Sequence, residues 1–249
     1  ELAQSQDQPD EMALQTLLQL GCGDHPYGRP ILGLREQLEA HDASGMRRFQ
    51  QRLYRAEHCV LALSGPLPAA RLEDLLDLLA GSPLGHLSAA TEARETLQLS
   101  VISGVHRHPF ARLEAARLMM AWALPGANDR EAIAAMDLAT SLLAEGRRSR
   151  LVERLREQLQ LVESIDLDLQ VLECGSLALL EAVCDVDDLP QVRQEIDAIL
   201  MGLIESPPPQ IEIERSRRLV GNGYRFGLEA PAGIAATIGN GALWGRPTA

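Results

Sequence analysis

Ser164–Leu172 reads SIDLDLQVL, and its alternation decides the fold. Ile165, Leu167, Leu169 and Val171 fall on one side of a period-two pattern, with Asp166, Asp168 and Gln170 on the other. That pattern is a strand with one face in a core and one in water. After a turn at Gly175, SLALLEAVCDV (Ser176–Val186) supplies its antiparallel neighbour. Helical stretches flank the hairpin: Asp129–Ala144 and Ser149–Leu159 before it, and Leu189–Ile204 after it. SPPP ends the last of these, and two more helices close the chain. The expected layout is α+β, an antiparallel sheet with helices packed on one face.

The first ninety residues use the same elements. Asp7–Leu20 reads as a helix, with Asp7 able to cap it, Pro9 in the first turn, and a stripe of Met12, Leu14, Leu17 and Leu18. Ser44–Tyr54 is a second helix, HCVLALSG (His58–Gly65) a short buried strand, and PAARLEDLLDLLA (Pro68–Ala80) an amphipathic helix. Gly81–Thr96 turns small and polar, which places a domain boundary there. Beyond it come a strand-like LQLSVIS, a helix within Arg112–Trp122, and a break at Pro125-Gly126. The domains are therefore 1–90 and 97–249.

Composition narrows the function classes. The chain has 249 residues, is 46% hydrophobic and carries a formal charge of −12. That charge repels phosphate backbones, and the densest basic group, Arg147, Arg148 and Arg150, does not offset it, so nucleic acid is not expected as a partner. All 23 basic residues are arginine, a codon-bias signature of a GC-rich bacterium. No apolar run approaches the ~20 residues of a membrane span. Cys22, Cys59, Cys174 and Cys184 have no C-x-x-C spacing and read as buried, reduced thiols. The chain opens on Glu1, which suggests an upstream piece.

The six histidines, His25, His41, His58, His86, His106 and His108, include no i, i+4 helical pair with a glutamate between. His106 and His108 are the nearest to a cluster. Gly221-Asn-Gly223 and Gly239-Asn-Gly241 lie in helical context and lack the strand a nucleotide loop needs. The loop DHPYGRPILG (Asp24–Gly33) holds His25 between prolines and glycines. That histidine reads as a metal ligand, a catalytic base, or a capping and turn device.

Three ordered motifs carry a family resemblance. ELAQSQDQPDEMALQTLLQLGCGDHPYGRPILG (1–33), FQQRLYRAEHCVLALSGPL (49–67) and LLAEGRRSRLVERLREQLQLVESIDL (142–167) resemble the M16 metallopeptidases, the pitrilysin, insulysin and mitochondrial-processing-peptidase family. Ala56 and His58 stand where that family usually has Pro and Asn. The resemblance implies two similar domains of the LuxS/MPP-like metallohydrolase type, with 1–90 ending the N-terminal, zinc-bearing domain and 97–249 forming most of the second. It implies that His25 belongs to a rigid connector and is not a ligand. In that family H-x-x-E-H and a later glutamate hold Zn2+, with the first-motif glutamate as general base toward water. H-x-x-E-H is absent here, and Glu1 aligns with the third ligand, so the histidine segment is expected upstream.

The family's substrate-gripping R-x-x-x-x-x-x-Y matches at Arg156, but Glu163 stands at the tyrosine position. The resemblance thus implies a fragment of a zinc metalloendopeptidase acting on peptides or small unfolded proteins. It also implies a homo- or heterodimer in which a second half supplies the Arg/Tyr pair. A non-catalytic binding or scaffolding homologue is the alternative, and one half of a long single-chain peptidase a third.

Overall fold

A single strand, buried on both faces, organises the larger part of the chain. The computed structural model describes residues 1–6, 8–87, 97–110, 113 and 115–243. Strands β1 (Ala116–Leu124), β2 (Val162–Gln170) and β3 (Ser176–Cys184) form an antiparallel sheet in the order β1-β3-β2. The β2–β3 hairpin is the one read from SIDLDLQVL, and its register sets Ile165, Leu167 and Leu169 opposite Ala182, Leu180 and Ala178. A bulge at Glu163 shifts the parity, so Val162 and Ile165, three apart, are both buried. Gly175 turns the hairpin at φ +138°, and a Cβ there would lie 2.6 Å from the Leu99 Cβ.

The helices are numbered along the chain: α1 (Leu2–Gln6), α2 (Pro9–Cys22), α3 (Arg35–Glu39), α4 (Ala43–Leu53), α5 (Ala69–Ala80), α6 (Arg130–Ala144), α7 (Leu189–Glu205), α8 (Gln210–Gly227) and α9 (Pro231–Leu243). Helix α6, α7 and the segment between α6 and β2 cover one sheet face. Leu143, Leu151, Val152, Leu155, Val192 and Ile196 pack there on Ile165, Leu180, Ala182 and Cys184. The opposite face is covered in part by α2, whose Leu14, Leu17, Leu18 and Cys22 meet Leu177, Leu179 and Ala121. Arg117 of β1 binds Asp10 of α2 at 2.6 Å and Glu181 of β3 at 2.7 Å, at the edge of that contact.

Several sequence expectations are corrected. The helix expected within Arg112–Trp122 is strand β1 where the structure describes it. Residues 118–124 are apolar throughout and half-buried except for the exposed Ala123, with Ala121 against the α2 cluster and Trp122 against the other, so no polar–apolar alternation marks them as a strand. LQLSVIS (97–103) joins no ladder. Its N–H groups bond singly, Leu99 N–H to the Cys174 carbonyl and Ile102 N–H to the Gly21 carbonyl, each 2.7 Å. Its neighbours are a turn and a helix end, which offer one acceptor each. Among the described residues HCVLALSG also joins no ladder: a short 3₁₀ turn takes Ala56–His58, and residues 59–64 form no strand. Residues 150–158 are helical as expected, but Val152–Gln158 is wound as a π-helix and ended by Gln160 at φ +54°. Cys22 and Cys184 are buried, whereas Cys59 is exposed. Asp7 and residues 88–96 of the polar boundary stretch lie outside the described residues.

By packing, Glu1–Arg35 and Thr96–Gly221 form one compact unit. Glu36–Glu95 and Asn222–Ala249 form another, containing α4, α5 and α9. Asp42 caps α4 by accepting the Gly45 N–H at 2.6 Å, and these bonds hold its carboxyl below the usual range.

Leu155 is fully enclosed. Leu155→Ala is expected to lower stability by about 2–5 kcal/mol, read as a shifted urea midpoint at unchanged slope. An unshifted midpoint would contradict the core drawn here.

Candidate functional site

The DHPYGRPILG loop is built around His25 and Tyr27. Gly23 ends α2 at φ +55°, a conformation open to glycine, and Pro26–Gly28 makes one 3₁₀ turn. His25 caps that turn: its Nδ1 accepts the Tyr27 N–H at 3.2 Å, and its Nε2–H donates to the Leu97 carbonyl at 3.0 Å. Both ring nitrogens are therefore engaged, with the proton assigned to Nε2 by these partners. The rings of His25 and Tyr27 meet edge-on at 4.6 Å. The Tyr27 hydroxyl accepts the Cys174 N–H at 3.1 Å, and burial raises the Tyr27 phenol above its ordinary range. The loop thus clasps α2 to the β2–β3 turn.

Tyr27→Phe removes that acceptor and leaves the Cys174 N–H without it. The expected cost is about 1 kcal/mol, with faster hydrogen exchange at the Cys174 amide. Unchanged exchange there would show the clasp to be idle.

Glu1 is exposed, and its carbonyl accepts the Ser5 N–H as α1 begins. Among the described residues, no three His, Cys, Asp or Glu side chains converge as a metal site. One carboxylate does not make such a site, so the residues present do not fit a zinc centre. Arg156 sits in the π-helix, where its Nε and Nη2 donate to Glu157 Oε1 at 3.1 and 3.0 Å. Arg147 donates to Glu157 Oε2 at 2.7 Å. The two guanidinium groups, Arg147 first, hold the Glu157 carboxyl below its usual range. Among the described residues no hydrogen bond or ion pair joins Glu1 to Arg156: the Glu1 carbonyl accepts from Ser5, and the Arg156 guanidinium donates to Glu157.

Of the remaining basic cluster, Arg150 pairs with Glu212 at 2.8 Å, and the Arg148 carbonyl accepts from Arg215. Arg147 and Arg150 are thus held in ion pairs, whereas Arg148 contributes its backbone carbonyl. His108 lies against Phe110, with ring centroids 4.8 Å apart.

A second location was not singled out in the sequence. An open cleft of about 460 Å³ lies between α6 and β2, lined by Asp137, Ser141, Glu145, Asp166 and Asp168. The outer edge of β2 borders it and has no ladder partner among the described residues. Ser141 is 4% exposed, and its hydroxyl has no hydrogen-bond partner there. The signal is present in pieces: Asp166 and Asp168 on the polar side of SIDLDLQVL, Asp137 and Ser141 at i, i+4 along α6, and Glu145 just past its end.

Known proteins match the chain from end to end. An uncharacterized zinc protease of Mycobacterium leprae is 24% identical over 245 residues, covering 98% of this chain and 54% of its own length. Another, from Rickettsia bellii, is 23% identical and covers 99% of this chain and 58% of itself. The chain thus spans little more than half the length of these curated relatives. Among solved structures, a peptidase M16 inactive domain from Pseudomonas fluorescens superposes with a TM-score of 0.81 at 17% identity, covering 99% of this chain and 58% of that one. A protease from Helicobacter pylori superposes at 0.76 with 16% identity, covering 97% and 59%. The family described as the peptidase M16 inactive domain matches residues 42–220, well over half of the sequence. The chain belongs to the peptidase M16 family.

Proposed function

We propose that this chain is the non-catalytic, peptide-seating part of a zinc metalloendopeptidase. In this reading residues 1–90 complete the zinc-bearing domain and 97–249 form most of the second. The relatives called zinc proteases, each nearly twice as long, support the assignment to that class. Zn2+ belongs to the complete protein, where Glu1 would be the third ligand beside two histidines from an upstream H-x-x-E-H. Arg156 serves substrate binding, and a second M16 half in a homo- or heterodimer supplies the complete Arg/Tyr pair. The chain alone is inactive.

The observation that carries the peptide reading is the β2 edge, without a ladder partner among the described residues, beside the acidic cleft. An extended peptide adds to such an edge through main-chain hydrogen bonds, and its alternate side chains enter flanking pockets. Asp137, Glu145, Asp166 and Asp168 favour lysine or arginine in the pocket, and the Ser141 hydroxyl offers a further acceptor. These residues bind and orient a peptide. They do not cleave it.

A second reading, a binding or scaffolding homologue without hydrolysis, is favoured by the family's description as an inactive domain. Sequencing upstream of Glu1 in the parent protein separates the two. An intact H-x-x-E-H supports the peptidase, and an altered motif supports the scaffold.

Two measurements test the chain itself. Calorimetry with an arginine-containing extended peptide is expected to show binding that weakens with salt and falls roughly three- to tenfold in Asp166→Asn/Asp168→Asn, a range set by pairs near a protein surface. N-methylation of alternate peptide amides is expected to abolish it, and full retention would rule out strand addition. After dialysis against zinc, elemental analysis is expected to find no stoichiometric metal. One tightly held zinc per chain would overturn the incomplete site.

A further inference from the structure

A different face of α6 borders a pocket of another chemistry. It encloses about 270 Å³ between α6, α7 and α8, with Leu138, Leu142, Leu203, Pro208 and Ile213 among its walls. On α6 the small residues Ala135 and Ala139, one turn apart, alternate with Leu138 and Leu142 and leave the space open. No lining side chain is charged, and only one is polar. That one is Ser216, which is 1% exposed and the most enclosed of the set. Its hydroxyl has no hydrogen-bond partner among the described residues. A helical hydroxyl can bond back to the carbonyl one turn earlier, as Thr16 does to Met12 at 2.7 Å and Thr237 to Gly233 at 2.8 Å. Ser216 makes no such bond, and a buried hydroxyl left unpaired is costly.

We propose that this pocket binds a small uncharged ligand with an apolar body and one hydrogen-bonding oxygen, which pairs with the Ser216 hydroxyl. The walls select against an ion, because a charge entering them loses its hydration and gains no counter-charge. Water is a poor occupant: it needs two to four polar partners, and the lining side chains offer one. An apolar side chain from another protein would leave the hydroxyl unpaired. Size sets the scale of the ligand. An apolar cavity of roughly 150 Å³ takes benzene, so this one takes a substituted ring or a short branched chain. The acidic cleft lies on other residues of α6, Asp137 and Ser141, so the proposal stands whatever that cleft binds.

Methyl NMR of the chain, titrated in turn with benzyl alcohol, toluene and benzoate, tests this. Benzyl alcohol is expected to give saturable shifts at the methyls of Leu138, Leu142, Leu203 and Ile213, and benzoate none there. Ser216→Ala deletes only the oxygen. It is expected to weaken benzyl alcohol about three- to tenfold while toluene binds as well as before or better. Ala135→Leu fills the pocket from its exposed rim, independently of Ser216, and is expected to weaken both ligands. Absence of saturable shifts at these methyls overturns the proposal, as does benzoate binding as tightly as the alcohol. An equal effect of Ser216→Ala on alcohol and toluene would reduce the pocket to a plain apolar void. Full binding in Ala135→Leu would place the ligand elsewhere, and either result also overturns the assignment.

Discussion

β3 is the constraint on which the larger unit depends. Leu177 and Leu179 face α2, whereas Leu180, Ala182 and Cys184 face the layer of α6, the π-helix and α7. A central strand covered on both sides fixes its neighbours twice, by the ladder and by two apolar layers. A one-residue slip would exchange these two sets of side chains. The bulge at Glu163 lets β2 keep both Val162 and Ile165 in the same core without such a slip. Burial has a chemical side as well: it raises the Cys22 and Cys184 thiols above their ordinary range, which suppresses the reactive thiolate.

The clasp at Tyr27 and the Asp10–Arg117–Glu181 bridge hold α2 at two points along its length. The first ties the helix C-terminus to the hairpin turn, and the second ties its N-terminus to the sheet. Between them runs the apolar stripe. This arrangement explains a rigid loop with two prolines and two glycines around a histidine. His25 has no nitrogen left for a metal, because the Tyr27 N–H engages Nδ1 and the Leu97 carbonyl engages Nε2.

Legibility in the sequence followed the physics of each element. The hairpin was readable because one face of β2 meets water, so Asp166 and Asp168 interrupt the leucines. β1 does not read as a strand because LMMAWAL is apolar throughout, so no polar residue interrupts it at period two. The helices α2, α4, α6 and α7 were readable from stripes and punctuation such as Pro9 and SPPP. Residues 97–103 were misread because their bonds go to a turn and a helix end, which leave no sequence signature. The family was legible in three motifs. The acidic cleft was not, since Asp137 and Asp166 lie on different elements and only the α6–β2 packing joins them.

The strand order also sets a sequence of assembly. The β2–β3 hairpin is closed by a short turn, so its ends meet early and at small entropic cost. β1 reaches β3 only across α6 and the π-helix, with Ala116 paired to Cys184 and Leu124 to Ser176. Such non-local pairing lags behind local contacts. Until β1 pairs, β3 has a bare edge of the kind that templates pairing with another chain.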